Sequence, residues 1–325
     1  MLKKQQSNQG RFMNGIFAFC LLTFSFSIWS NEPITRLGSY SPFFLQNGVL
    51  NTNEYRVGDE WGKVPVTEEI LNKSVAIKRA ALATTRTGGG TGFVLGEFAG
   101  QVIVATNHHV CPASYYCDQR ATQLPLLGIQ AEQTDFIGSW PEIDLALYVI
   151  EVSEAQKERI LGVAQNFDFQ ADIEPGQPLI TSGFGSAGNS DRRMVINYDE
   201  DCRVMSAKNE FRLMNDPDAK NPAHYRAWSF ANGCDVSHGD SGSAMVDATT
   251  GAPIGIIWTG KIPKSASAQS SSRLRQWEET QSAEVWTELS YAVPAKKIHE
   301  FLSQKLKSGD LSSRHTAIVQ AILEN

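Results

Sequence analysis

The sequence predicts an all-β protein followed by two C-terminal helices. Short apolar runs rich in β-branched residues recur between turn clusters, at 75–82, 92–96, 101–106, 145–152, 179–183, 202–205, 243–246, 254–258 and 289–293. Regular short strands of this kind indicate a sandwich or barrel rather than βαβ units. The period then changes. Ile298, Phe301, Leu302 and Leu306 recur at helical spacing after Pro294, and Ile318, Val319, Ile322 and Leu323 do so again. No internal repeat at a fixed period is visible.

The remaining segments read in order. Residues 31–66 are polar and irregular, punctuated by Gly38, Pro42, Gly48, Gly58, Gly62 and Pro65, as in a leader, a pro-segment or a wrapping arm. Residues 67–74 suit one short helix with Ile70 and Leu71 on one face. Residues 262–288, Ser-rich and then charged, read as a long surface loop between two strands. A chain of 325 residues has room for two domains. Its 42% hydrophobic and 20% charged residues are those of a globular protein. With 29 Lys and Arg against 35 Asp and Glu, the net charge of −6 argues against nonspecific nucleic-acid binding, which needs a basic surface.

The N-terminus reads as a signal peptide over residues 1–30. Lys3, Lys4 and Arg11 make a positive leader, and 16–29 is a largely apolar run. That run is shorter than the about 20 residues of a membrane span. Ser30 is a small residue at which cleavage would expose Asn31; an uncleaved anchor is the alternative. Cleavage would remove Cys20 and leave Cys111, Cys117, Cys202 and Cys234. Four cysteines in an oxidising compartment allow three pairings. The expected one, Cys111–Cys117 and Cys202–Cys234, closes local loops. A zinc site from His108, His109, Cys111 and Cys117 is the rival, but it lacks paired Cys-x-x-Cys spacing. The expectation is a secreted or periplasmic protein with no membrane span after cleavage.

Three segments carry chemistry. The sharpest is His238-Gly239-Asp240-Ser241-Gly242-Ser243. A serine hydroxyl is a poor nucleophile unless a base takes its proton and donors hold the oxyanion. Glycine beside it frees the backbone, so that the amides of Gly239 and Ser241 can converge on one point. The second segment is an apolar strand ending in His108-His109, where an imidazole supplies a base with a pKa near neutrality. In the third, Asp144 opens the apolar run 145–149. An unpaired charge is costly there, unless it accepts a hydrogen bond from imidazole. Asp135 is the competing acid, without the apolar run behind it. The glycines 88–90 lead into a strand and lack the Lys-Ser/Thr of a phosphate loop.

Taken together, the order His, Asp, Ser resembles the chymotrypsin/trypsin-like serine peptidases, most closely their bacterial branch with the glutamyl endopeptidases and HtrA-type proteases. The matching pieces are Gly90-Thr91-Gly92-Phe93-Val94, Thr106-Asn107-His108-His109-Val110, Asp144-Leu145-Ala146-Leu147, Gly239-Asp240-Ser241-Gly242-Ser243, Gly255-Ile256-Ile257-Trp258 and Tyr291-Ala292-Val293-Pro294-Ala295. The resemblance implies two six-stranded antiparallel β-barrels, at 75–165 and 166–295, with helices at 296–325 and a leader or pro-segment at 31–74. It implies His109 as the base, with His108 pointing elsewhere, Asp144 as its partner and Ser241 as the nucleophile.

It further implies a primary pocket lined by Trp258, Thr259 and Gly260. Asp235 lies six positions before Ser241, where an acid selects Lys or Arg in trypsin-like enzymes; the alternative is that it has no pocket role. Asp240 resembles the acid that pairs with a new amino terminus on zymogen cleavage. No Ile-Val-Gly-Gly start is present, and Lys78-Arg79 is only a candidate cut site. The expected activity is that of an exported, monomeric serine endopeptidase. It needs no metal or cofactor and acts on protein or peptide substrates. A catalytically silent binding protein or an esterase on this fold is the alternative. An α/β-hydrolase would order its triad Ser, Asp, His.

Overall fold

Ser74 starts a helix where the apolar run at 75–82 suggested a strand. Its Oγ accepts the Ile77 amide at 3.0 Å, the N-cap arrangement. The helix contains Ala76, Ala80, Ala81 and Ala83, strong helix formers. Helix propensity and the cap outweigh the β-branched Val75 and Ile77. Ile77, Ala80 and Ala81 stand three and four residues apart and are buried together. This helix, α2 (Val75–Ala83), follows α1 (Glu68–Leu71), capped by Thr67 as the pattern at 67–74 suggests.

The computed structural model describes residues 45–46, 49–50, 61–118, 121–216, 226–260 and 289–325. All of them belong to one compact unit, Glu32–Asn325. The expected signal peptide, the loop at 262–288 and most of 31–60 lie outside the described residues. A small antiparallel pair, β1 (Leu45–Gln46) and β2 (Val49–Leu50), precedes the arm strand β3 (Val64–Pro65).

Six strands then close a barrel: β4 (Thr84–Thr87), β5 (Gly90–Phe98), β6 (Gln101–Thr106), β7 (Thr122–Leu124), β8 (Ile129–Trp140) and β9 (Leu145–Glu151). They run round it in the order β4-β5-β6-β9-β8-β7. Successive residues of β5, β6 and β9 face opposite sides. Val94, Val104 and Tyr148 pack inside the barrel, while Phe93, Leu95, Ile103 and Leu147 pack outward into a core shared with the other half and the helices. Burial on both faces is why these strands read as unbroken apolar runs rather than alternating ones. The Tyr148 hydroxyl meets Thr87 and Thr122 at 2.8 and 2.9 Å. Burial pushes its pKa up to about 12. The crossing segments carry the short helices α3 (Ser114–Asp118) and α4 (Glu154–Leu161).

The second half is built on β10 (Leu179–Gly183), β11 (Val195–Asn197), β12 (Arg212–Asn215), β13 (Arg226–Asn232), β14 (Ala244–Asp247), β15 (Pro253–Gly260) and β16 (Ser290–Pro294). With β3 they form an antiparallel eight-stranded sheet, β12-β13-β16-β15-β14-β10-β11-β3. A second six-stranded antiparallel barrel was the expectation; among the described residues its strands form this antiparallel sheet, which the arm strand β3 extends at the β11 edge, pairing Val64 with Ile196, and β12 extends at β13. The two expected disulfides, Cys111–Cys117 and Cys202–Cys234, are formed.

Both C-terminal helices form as the periodicity predicts. α5 (Ala295–Ser308) ends at Gly309, whose φ of 72° suits the left-handed helix stop. α6 (Ser313–Glu324) is capped by Ser312. Ile298, Leu302, Ile318, Val319 and Ile322 are buried in the shared core. No helix among the described residues is long and apolar enough to cross a membrane.

Candidate active site

β6 and β9 are antiparallel neighbours, with Thr106 opposite Ala146. The end of one strand therefore lies beside the start of the other. His109, three residues past β6, and Asp144, one residue before β9, arrive at the same place. Asp144 has φ 43°, a backbone conformation that a non-glycine residue adopts only where its surroundings hold it. Here Asn107 Nδ2 donates to the Asp144 carbonyl at 2.9 Å. The buried carboxylate then reaches His109 twice. Oδ1 accepts the His109 amide at 2.9 Å, and Oδ2 lies 2.7 Å from Nδ1.

The two forces on the His109 imidazole oppose each other. Burial pulls its pKa down; the Asp144 charge and hydrogen bond, with a smaller push from Asp216, pull it up. The net shift is above the ordinary histidine value. The neighbouring His108 turns away, with Nδ1 2.7 Å from Ser139 Oγ. Burial lowers its pKa, only partly offset by Asp144. Asp135, the competing acid, contacts His315 and Arg314 of α6 instead. The disulfide Cys111–Cys117 ties down the turn just after His109, where the Cys111 amide donates to the Asn107 carbonyl at 3.0 Å.

Ser241 lies in the turn before β14. Gly239 has φ 108°, and a Cβ there would come within 2.5 Å of the Phe184 carbonyl, so only glycine fits. The amides of Gly239 and Ser241 donate to no protein acceptor among the described residues. His109 and Ser241 line one cavity of about 140 Å³, with Ser237, His238, Ile257, Trp258, Thr259 and Gly260. Structure thus joins His109 to Asp144 by hydrogen bonds and brings Ser241 to the same cavity as His109. No hydrogen bond links the serine and histidine side chains, an arrangement common in free enzymes that tighten on binding.

Trp258, Thr259 and Gly260, the residues expected in a primary pocket, line this cavity. Trp258 is held by Nε1–H donating to Ser229 Oγ at 2.8 Å. Thr259 donates to Asp216, another wall residue. Asp235 is not among the residues of this cavity. Its carboxylate turns the other way and accepts the Gly62 amide at 2.6 Å. Burial, then the charge of Asp199, raises its pKa well above the carboxylate range.

Two contributors escaped the sequence reading. Thr91 on β5 fastens the serine turn to the first barrel. Its amide donates to the Ser241 carbonyl at 2.9 Å, and its Oγ donates to the Gly239 carbonyl at 2.6 Å. The Gly-Thr-Gly piece was the only signal for it. The other is Lys63, which forms an ion pair with Asp240. A lysine in a polar arm carries no sequence mark of burial.

No curated protein matches the chain. Among solved structures it is similar to the Rv3671c protease in its inactive form, at 16% identity over 74% of this chain and 96% of that one, with a TM-score of 0.46. The active form of the same M. tuberculosis protease gives 15% identity, 77% and 89% coverage and 0.45. The HtrA-type protease AlgW with a decapeptide gives 16% identity, 80% and 68% coverage and 0.44. A family model, the trypsin-like peptidase domain, matches residues 90–256, just over half of the chain and the span that holds His109, Asp144 and Ser241, and the chain belongs to that family.

Proposed function

We propose that the protein is an exported serine endopeptidase working through His109, Asp144 and Ser241. The observation that carries this reading is that His109, doubly hydrogen-bonded to Asp144, lines the same cavity as Ser241. Asp144 engages Nδ1, which leaves Nε2 as the base. As Ser241 Oγ attacks the carbonyl carbon of the scissile peptide, its proton passes to Nε2. The carbonyl oxygen becomes an oxyanion that accepts hydrogen bonds from the amides of Gly239 and Ser241. Imidazolium is stabilised by the Asp144 carboxylate and then protonates the leaving amine, so that the C–N bond breaks and an acyl-enzyme remains. Water attacks the ester by the same route in reverse and regenerates Ser241.

The cavity wall of Ile257, Trp258 and Thr259 receives the side chain before the cut. With Asp235 turned to Gly62, that residue does not select Lys or Arg. Export to the periplasm or the medium accords with the two disulfides and with the sequence at 1–30.

The test is labelling by a peptidyl organophosphonate, with peptide amides and esters assayed in parallel. The wild type should label and cleave amides. Ser241→Ala should abolish labelling and lower turnover by about 10⁶. Labelling at an unchanged rate in that variant would overturn the nucleophile. Cleavage of esters alone would replace the peptidase reading by an esterase.

A further inference from the structure

Asp240, the residue before Ser241, has no exposed surface. Its Oδ1 accepts the Gly185 amide at 2.9 Å and its Oδ2 the Ser237 amide at 2.8 Å. The remaining charge is met by Lys63, whose side chain is 2% exposed and whose ammonium also acts electrostatically on Asp235. The nest is closely fitted. A Cβ at Gly185 would stand 2.0 Å from Asp240 Oδ2, and one at Gly183 would stand 2.6 Å from Oδ1.

Lys63 comes from far away in the chain. It precedes Val64 and Pro65, which add β3 to the edge of β11. The residue before it, Gly62, donates to Asp235. Two consecutive residues of the arm therefore grip both ends of the segment 235–240. That segment holds Gly239, and its last residue joins Ser241, the two amides assigned to the oxyanion.

We propose that Lys63 is a positioning residue for the chemistry at Ser241, an internal ammonium that neutralises Asp240 and holds the Gly239 and Ser241 amides in line. This rests on the serine-peptidase reading above. Removing one partner of a buried pair strands the other's charge. Asp240 would then turn toward water and rotate the peptide planes on either side of it. Oxyanion stabilisation depends on where those N–H groups point. It follows that the chain is competent with the arm attached. The cation beside the nucleophile is already present, and no freshly cut amino terminus has to supply it.

The experiment compares the full chain with Lys63→Met, Asp240→Asn and the double variant. It measures organophosphonate labelling rate, kcat and KM on one peptide, and thermal unfolding. Lys63→Met should lower the labelling rate and kcat by about 10–100-fold in folded protein, with KM within about threefold. Adding Asp240→Asn should restore part of the loss, because neither charge is then stranded. Parental labelling by folded Lys63→Met overturns the proposal and leaves the peptidase reading intact. Should the wild type fail to label, both fall. A second measurement holds even if Lys63→Met does not fold: the mass of labelled wild-type protein. An unbroken chain from Lys63 through Ser241 supports the proposal; labelled molecules that all begin after Lys63 overturn it.

Discussion

The Asp144 carboxylate binds a single residue, His109, through both of its oxygens, one to the backbone amide and one to the ring. The amide contact fixes where the carboxylate sits; the ring contact fixes which tautomer the imidazole holds. Asp144→Asn keeps the size and can keep the amide contact. It presents an NH₂ or a neutral carbonyl to Nδ1, so the tautomer and the imidazolium lose support. Turnover should fall by about 10⁴ with the fold unchanged. Steady-state kinetics beside circular dichroism check this.

The same pair sets a pH dependence. A histidine acts as a base only when neutral, and Asp144 raises the pKa of His109, the proposed base, above the ordinary histidine value of 6.5. Activity should therefore be lost as pH falls through a midpoint above that value. In the Asp144→Asn variant the midpoint should move down, since the lowering by burial remains and the largest raising influence is gone. The pH profile of kcat/KM for both proteins reads this directly.

Asp235 is not among the described residues that line the cavity, and its carboxylate accepts the Gly62 amide. Asp235→Asn should leave the ratio of cleavage after Arg to cleavage after Ala unchanged, measured with a panel of chromogenic peptides. Asp235→Ala, which leaves the Gly62 amide without its acceptor, should cost about 1–3 kcal/mol of stability by denaturant unfolding. A large change in the Arg-to-Ala ratio in Asp235→Asn would return this residue to substrate selection.

Cys202 and Cys234 close the longer of the two disulfide loops, 32 residues apart against 6 for Cys111 and Cys117. Loop entropy predicts about 3–4 kcal/mol from the longer bridge and about 2 kcal/mol from the shorter. Paired Cys→Ser variants, unfolded by denaturant, should rank in that order. The shorter bridge should show more in kcat, because it braces the turn that carries His109.

Local chemistry explains what could be read before folding. β6 and β10 match their apolar runs to the residue, since each is buried on both faces and needs no knowledge of its neighbour. Both C-terminal helices follow their 3.6-residue period. Ser241, with Gly242 after it and Gly239 two residues before, and Asp144, placed at the head of an apolar run, stand out because their chemistry is at odds with their surroundings. β8 was missed, because its mixed polar and apolar residues look like loop until β7 and β9 pair with it. The stretch 75–82 was read as a strand because its Val and Ile outweighed a capping serine that only a helix uses.

The amino-acid order by itself determined the apolar runs of strands such as β6 and β10, the terminal helices and the three residue types able to carry acyl transfer. Each depends on side chains that are neighbours in sequence or on one run's own burial. Tertiary structure alone decided that His108 turns to Ser139, that Asp235 serves the arm, that Thr91 clasps the serine turn, and that Lys63 finds Asp240. The last three contacts join residues 148 or more positions apart (Thr91 to Gly239), or 173 apart (Gly62 to Asp235), or equally remote (Lys63 to Asp240). Partners so distant leave no periodicity or spacing in the chain, and only the closing of the barrel and the strand addition of the arm bring them within hydrogen-bonding reach.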